Sequence, residues 1–542
     1  MALLFLLLYD LIMRILKNIK IEKIGYGGIG LSRMPDGKRI LIKGGALPGN
    51  VVDLRIVKQK KDYIEAHILE VKSYDPNIVD GTIFCPHFFS VLGNQELSQE
   101  EKTRIGCGGC KRQLLSYPRQ LELKQSIVEE SFTKLKKHIP DLNVLNIIGS
   151  PQEKGYRNKI EFSFGKYIVK EFTPTGDAKA DKDALRKAPL LKLSDWSLGF
   201  HKQGEFSKII NIESCGLISD RANAVFTHIK DLLLASELPV YDQKAQQGFF
   251  RHLVMREGVN TGQMLINLVV SDKHLVSEQT KAQWETLLET IKSDSIIKEE
   301  ITTWVITYNN GMGDTTHGPD TKTEIFFGEG QIYDQLRFSE DTDQNPITTK
   351  TEKNIEVNFR ISPFSFFQTN TLWAQTLFQQ AAHMVGKVAG TVLDLYCGTG
   401  SIGISFLKMD KGDSVVGVEI VEEAIVDARH NAKINGLDQK VFFAATPAEK
   451  AFTTVPEIMQ KLDNLGLVVI DPPRDGLHKN VVSTLGGLRK LHSFKLLYIS
   501  CNPITMARDI ELLIQEGFQI KELQPVDMFP QTHHIEVIGV LS

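Results

Sequence analysis

The chain has 542 residues, with 63 Lys+Arg against 66 Asp+Glu, a formal net charge of −3 and six cysteines. That length corresponds to about three or four domains. The 42% hydrophobic and 24% charged fractions exclude a disordered or collagen-like chain. Six cysteines are too sparse for a disulfide scaffold, which points to a reducing compartment. A net charge this close to zero gives no bulk sign of a polyanionic partner.

Residues 1–16 open on an almost wholly apolar run, but Asp10 and Arg14 interrupt it. It falls short of the roughly 20 residues that a spanning helix requires. The basic residues Arg14, Lys17 and Lys20 follow the apolar stretch instead of preceding it, against the order of a secretory signal. The segment reads as an extension upstream of a start near Met13, with a short docking helix and a membrane anchor as rivals. A cytoplasmic protein without a membrane partner is expected.

Residues 17–75 alternate in short runs separated by turn signals: Gly25-Tyr26-Gly27-Gly28, Pro35-Asp36-Gly37, Gly44-Gly45 and Leu47-Pro48-Gly49. Regular short strands of this kind predict a small β-barrel. Residues 1–75 hold 13 Lys+Arg and 8 Asp+Glu, a local net of +5, so the remaining 467 residues carry −8. The asymmetry makes the barrel a candidate for touching a polyanion, with a merely solvated basic face as the alternative.

Residues 76–365 read as a central, mixed α+β domain. A cysteine-containing segment leads into an amphipathic helix over 121–137. Strands are expected at 159–164, Met264–Val270 and Thr303–Tyr308, and helices near 220–235 and 277–292. Polar stretches at 173–187, 309–323 and 339–354 read as loops. From 366 to 542 the pattern changes. Strands at Thr391–Leu395, 414–418, 467–470 and Lys495–Ser500 alternate with helices from 402 and over 421–435, which predicts an α/β, doubly wound parallel sheet.

The first of these strands runs into Tyr396-Cys397-Gly398-Thr399-Gly400, where glycines let the backbone approach a ligand at a helix amino terminus. Glu419 closes the next strand and can accept hydrogen bonds from a ribose diol. Both features suit a dinucleotide as well as S-adenosylmethionine. Two further strand ends discriminate. One carries Asp471-Pro472-Pro473-Arg474, an acid on a proline-fixed turn, and the other carries Ser500-Cys501-Asn502-Pro503, a thiol on the same rim. Hydride transfer has no evident need for the Asp-Pro-Pro turn, whereas methyltransferases acting on bases often carry a related one, and the thiol shares its rim.

These motifs, with Ser362-Pro363-Phe364-Ser365-Phe366-Phe367-Gln368 and His534-Ile535-Glu536, resemble the RNA uracil-5 methyltransferases. The resemblance is dense over the last 180 or so residues and thinner in the middle, where Tyr156-Arg157-Asn158-Lys159 and Arg251-His252-Leu253 carry it. It implies a class I S-adenosylmethionine-dependent methyltransferase domain, and it makes the barrel similar to the family's OB-type, RNA-binding TRAM domain.

By the same resemblance, Cys501 is the nucleophile that adds to uracil C6 and Glu536 the base that removes the C5 proton. Gln368, Tyr396, Gly398, Glu419 and Asp471 would line the cofactor and pyrimidine site, and Phe366 or Phe367 would stack on the base. Cys397 reads as packing. Adjacent His533 and His534 would point to opposite faces of a strand, against a shared metal. One departure concerns the adenine. The family's glycine–acid pair is replaced by Ala445-Thr446-Pro447-Ala448-Glu449.

The remaining cysteines are Cys85, Cys107, Cys110 and Cys215. Cys107-Gly108-Gly109-Cys110 is a tight CxxC turn, and spacing alone leaves zinc and iron–sulfur equally open. The resemblance implies a [4Fe–4S] cluster, as in the rRNA-modifying branch, and hence 23S rRNA as the partner, bound by a monomer. That branch spaces its first two ligands closely, whereas 21 residues separate Cys85 from Cys107. Loop closure costs only about 0.6 kcal/mol per doubling of length, so an insertion that includes 95–102 does not forbid the cluster. The rival activities are tRNA uracil-5 methylation and methylation of an exocyclic amine, which needs no thiol. A non-catalytic RNA-binding protein of the same fold is the remaining alternative.

Overall fold

The computed structural model describes residues 15–76, 79–88, 103–104, 106–170, 187–203, 205–318, 320–340 and 355–542. Most of the apolar extension, the insertion at 95–102 and nearly all of the expected loops at 173–187 and 339–354 lie outside the described residues.

Six strands form the first unit: β1 (Ile15–Lys20), β2 (Lys23–Gly25), β3 (Ile29–Arg33), β4 (Arg39–Lys43), β5 (Val51–Gln59) and β6 (Tyr63–Ser73). Their order is β1-β5-β6-β4-β3-β2. The two edges of this sheet are consecutive pieces of one chain segment. Ile21 donates to the Asn50 carbonyl beside β5, and Glu22 donates to the Leu31 carbonyl in β3. The sheet therefore curls so that its two end strands are joined by Ile21 and Glu22. Alternation fills the interior with Ile40, Ile42, Val52, Leu54, Ile64 and Ala66.

A seven-stranded sheet forms the centre, in the order Glu205–Asn211, Leu190–Lys202, Lys159–Lys170, Phe250–Glu257, Met264–Val270, Thr303–Tyr308 and Lys322–Phe327. The last strand begins inside the stretch read as a loop over 309–323. Its residues are exposed or half-buried, so no apolar alternation marks it in the sequence. Helices Asp220–Ala235 and Glu278–Ser293 carry Ser219 and Ser277 as side-chain amino-terminal caps. The helix expected over 121–137 instead starts at Tyr117, behind Ser116 and with Pro118 in its first turn. It divides at the buried Phe132 into Tyr117–Ser131 and Thr133–Lys136.

The third unit is built on an eight-stranded sheet. Val441–Ala445, Ser414–Glu419, Thr391–Leu395, Leu465–Ile470 and Lys495–Ser500 are parallel, in that spatial order. Residues 391–395 are buried throughout, as befits a strand covered on both faces. The expectation of an all-parallel sheet needs correction. Glu536–Leu541 runs antiparallel beside Lys495–Ser500, and Ile520–Val526 antiparallel beside that. Asn143–Val144, far away in sequence, adds the eighth strand. A strand entering against the others begins where they end, which puts Glu536 on the rim that carries Cys501. No helix among the described residues is long and apolar enough to cross a membrane.

Helix Tyr117–Ser131 is fastened beneath this rim by a buried ion pair. The Lys124 ammonium lies 2.6 Å from Asp527, with side-chain exposures of 2% and 0%. It also donates to the Phe529 carbonyl, and the Tyr117 hydroxyl donates to Asp527. Lys124→Met, which strands a buried carboxylate, is expected to cost about 3–5 kcal/mol, read as a lowered urea midpoint. The double variant Lys124→Met/Asp527→Leu, with no lone charge left, should recover a large part of that loss.

Candidate active site

The rim of the third sheet is shaped first by its glycine loop. Gly398 and Gly400 adopt φ of +53° and +78°, and Tyr396 between strand and loop adopts +65°, a costly value for a residue with a side chain. The Gly398 amide donates to Glu419 at 3.2 Å, while the other Glu419 oxygen accepts from the amides of Ile420 and Val421. Glu419 is thereby oriented from both sides before any ligand arrives. Beneath the loop, Asp394 accepts from the Gly403 amide, and burial pushes its carboxyl up to about 8.

Gln368, Tyr396, Gly398, Glu419, Asp471, Cys501 and Glu536 all line one cavity of about 750 Å³. Four other residues complete its reactive lining: Arg157, Phe366, Arg474 and His534. Of the two aromatic candidates, Phe366 faces the cavity and is 60% exposed. Phe367 is buried against Phe359 and takes no part. The Thr399 hydroxyl donates to the Phe366 carbonyl, and the buried Arg256 donates to the preceding Ser365 carbonyl. Both contacts hold the Phe366 ring at the mouth. Pro447, Ala448 and Glu449 line the cavity where the sequence lacks the family's glycine–acid pair. Cys397 lies buried behind the loop and does not line it.

Charge is unbalanced in this cavity. Burial pushes Asp471 up to about 7, and burial together with Asp471 drives Glu536 well above the usual carboxyl range, against the pull of Arg474. The Cys501 thiol is pushed up to about 11, by burial first and then by Glu536 and Asp471, while Arg474 opposes. Desolvation leads each of these three upward shifts, and Arg474 opposes those of Glu536 and Cys501. The histidines depart from the expected strand geometry. His533 and His534 lie in the turn ahead of Glu536–Leu541, with ring centroids 4.1 Å apart, and Arg474 reaches the His534 ring at 3.1 Å. Sequence reasoning did not single out Arg474 or Arg157 for this site, because an arginine's role depends on what the fold places beside it.

Cys85, Cys107, Cys110 and Cys215 line a second cavity, of about 360 Å³. No group of three or more His, Cys, Asp or Glu stands close enough to share one metal ion among the described residues. All four thiols are nevertheless pushed up, by burial first, and Cys110 reaches about 12. The Gly109 amide donates to the Cys107 sulfur at 3.5 Å, while the Phe88 and Ile218 amides donate to the carbonyls of Cys85 and Cys215. Arg157 and Thr369 line both cavities, so the two share a wall.

Comparison with known proteins agrees with this geometry. The sequence model of the tRNA (uracil-5-)-methyltransferase family matches residues 340–542. An uncharacterized RNA methyltransferase of Caldanaerobacter subterraneus subsp. tengcongensis is 31% identical over 526 residues, covering 97% of this chain and 98% of the relative. Another, from Chlorobaculum tepidum, is 32% identical over 514 residues, covering 93% and 91%. Among solved structures, Pyrococcus abyssi tRNA (uracil-54, C5)-methyltransferase in complex with S-adenosyl-L-homocysteine has the same fold over 97% of this chain and 100% of its own, with a TM-score of 0.64 at 23% identity. The chain belongs to the RNA uracil-5 methyltransferase family and is an S-adenosylmethionine-dependent enzyme of that kind.

Proposed function

We propose that this enzyme methylates C5 of a uridine in 23S rRNA through a covalent bond between Cys501 and uracil C6. The observation that carries the reading is the convergence of Cys501, Glu536 and Asp471 on one cavity rimmed by the glycine loop. The Cys501 thiolate adds to C6, and the electron pair of the C5–C6 bond moves to C5 and the O4 carbonyl as an enolate. S-adenosylmethionine supplies the methyl group that C5 then takes up. Glu536 accepts the C5 proton, the C5–C6 double bond re-forms, and Cys501 leaves as thiolate. A carboxylate whose affinity for a proton is raised by burial is the stronger base for so weakly acidic a C–H. Gln368, whose side-chain amide makes no hydrogen bond among the described residues, is placed to read the pyrimidine edge. Phe366 offers the flipped base a stacking face. Tyr396, Gly398, Glu419 and Asp471 hold the cofactor.

The basic barrel is the family's TRAM domain in this reading, docking RNA through its net positive charge. The protein works in the cytoplasm as a monomer of barrel, central domain and methyltransferase domain. The four cysteines, which line one cavity, would hold a [4Fe–4S] cluster, and this set is what argues for rRNA. A tRNA substrate is the second reading, favoured by the full-length fold shared with a tRNA enzyme.

RNA containing 5-fluorouridine tests the chemistry, because fluorine cannot leave C5 as a proton. Wild-type enzyme with S-adenosylmethionine should give a denaturant-stable adduct on 23S rRNA fragments and none on tRNA; the reverse would select tRNA. Cys501→Ala should give no adduct and no methylation, and methylation that survives it would mean an exocyclic amine is the target. With natural RNA, Glu536→Gln should accumulate the methylated adduct while turnover falls by about 10²–10⁴-fold.

The acidic cavity makes a separate prediction about Cys501. Its alkylation by iodoacetamide, taken as the difference from Cys501→Ser, should climb with pH towards a midpoint of about 11. S-adenosylmethionine, whose sulfonium is positive, should favour the thiolate and move that midpoint down. S-adenosylhomocysteine, with neutral sulfur, fills the same space and should leave it in place.

Anaerobically purified protein should contain iron and acid-labile sulfide and show a broad visible absorbance band. Cys110→Ser should lose both while still binding S-adenosylhomocysteine. Stoichiometric zinc without iron would reject the cluster.

A further inference from the structure

The barrel turn Tyr26–Gly28 reaches the rim that carries both reactive side chains. The Tyr26 hydroxyl donates to the main-chain carbonyl of Cys501 at 3.0 Å, across 475 residues of sequence. Cys501 has just left the strand Lys495–Ser500, so it lies beyond the sheet's hydrogen-bond ladder. The helix that follows begins with Pro503, which has no N–H to offer. Burial pushes the Tyr26 phenol up to about 12, with Cys501, Arg474 and Glu536 all in electrostatic reach.

The same turn touches the segment that leads to Glu536. Gly28 adopts φ +75°, and a Cβ placed there would stand 3.3 Å from Nη2 of the buried Arg112 and 3.5 Å from Cβ of His533. His533 lies three residues ahead of Glu536. Arg112 in turn donates to the Ala46 carbonyl of the barrel, and its own amide donates to the Gln531 carbonyl. One turn of the leading domain thus abuts the main chain beside the nucleophile and beside the base.

We propose that Tyr26 is a positioning residue for the methylation reaction: its hydroxyl fixes the peptide that aims the Cys501 sulfur, so the barrel completes the active site as well as docking RNA. The inference rests on the covalent reading of Cys501 given above. A docking role alone would change affinity for RNA and leave the chemical step intact. A positioning role does the opposite, because small displacements of a reacting group are costly in rate.

The test uses the full chain, with S-adenosylmethionine and saturating RNA containing 5-fluorouridine, under single-turnover conditions. Tyr26→Phe removes one oxygen and should slow adduct formation about tenfold. Its affinities for RNA and for S-adenosylhomocysteine should stay within about twofold of wild type. Gly28→Ala, which strains a left-handed backbone against Arg112 and beside His533, should slow the same step and also spare RNA affinity. An adduct rate in Tyr26→Phe equal to that of wild type would overturn the proposal. So would weaker RNA binding with the rate restored at saturation, or lost S-adenosylhomocysteine binding, which would assign the hydroxyl a folding role. A wild-type enzyme that forms no adduct would instead overturn the covalent reading, and this inference with it.

Discussion

The cysteine segment, the central domain and the methyltransferase domain are all fastened to one short segment, the turn between the last two strands. The buried Lys124–Asp527 pair anchors its beginning to helix Tyr117–Ser131. Gln531, with a φ of +66°, is held by reciprocal bonds to the Gln120 side-chain amide and accepts from the amides of Lys111 and Arg112. Tyr156 donates to the Pro530 carbonyl, and Asn370 to that of Met528. A left-handed backbone at a glutamine is strained and persists only where its surroundings over-determine it. Here the surroundings are the cysteine segment, the central domain and the methyltransferase motif together. Five residues after Gln531 comes Glu536, so its position follows from all of them.

The electrostatics of the cavity follow from the same burial. Asp471 and Glu536 are gathered where water is scarce, with Asp394 beneath them, and desolvation leads the upward shift of each. Left alone, such a cluster resists ionisation and raises the Cys501 thiol with it. A cationic ligand reverses both effects at once: it stabilises the carboxylates and favours the thiolate.

Much of this was legible in the sequence, for identifiable reasons. Buried parallel strands such as Thr391–Leu395 are continuous apolar runs, and their ends carry short motifs whose residue types are dictated by chemistry. Those features survive without knowledge of the fold. The short strands of the leading six-stranded sheet were legible because the turns between them require glycine, as at Gly37 with φ +85°. The antiparallel end of the methyltransferase sheet was not legible, since strand direction leaves no mark on composition. Strand Lys322–Phe327 was missed because it is exposed and its sequence is polar at one end. Asn143–Val144 is only two residues long, and nothing local announces its pairing with Ile520–Val526. The contacts of Tyr26 and Arg112 were equally silent, because each reaches a residue hundreds of positions away.

These silent contacts share a direction. They run from the first two domains into the rim of the third, and none of them lies within the dense run of motifs. Tyr26 approaches Cys501 from the barrel, Arg157 stands in the wall between the cysteine cavity and the catalytic one, and Arg112 joins barrel, CxxC segment and Gln531. A methyltransferase domain alone would keep its glycine loop, its Asp-Pro-Pro turn and its thiol. It would lose the groups that fix the thiol's peptide and the base's turn. The left-handed Gln531, bonded to Gln120, Lys111 and Arg112, is the point at which segments hundreds of residues apart come to depend on one another, because such a conformation persists only where its surroundings over-determine it.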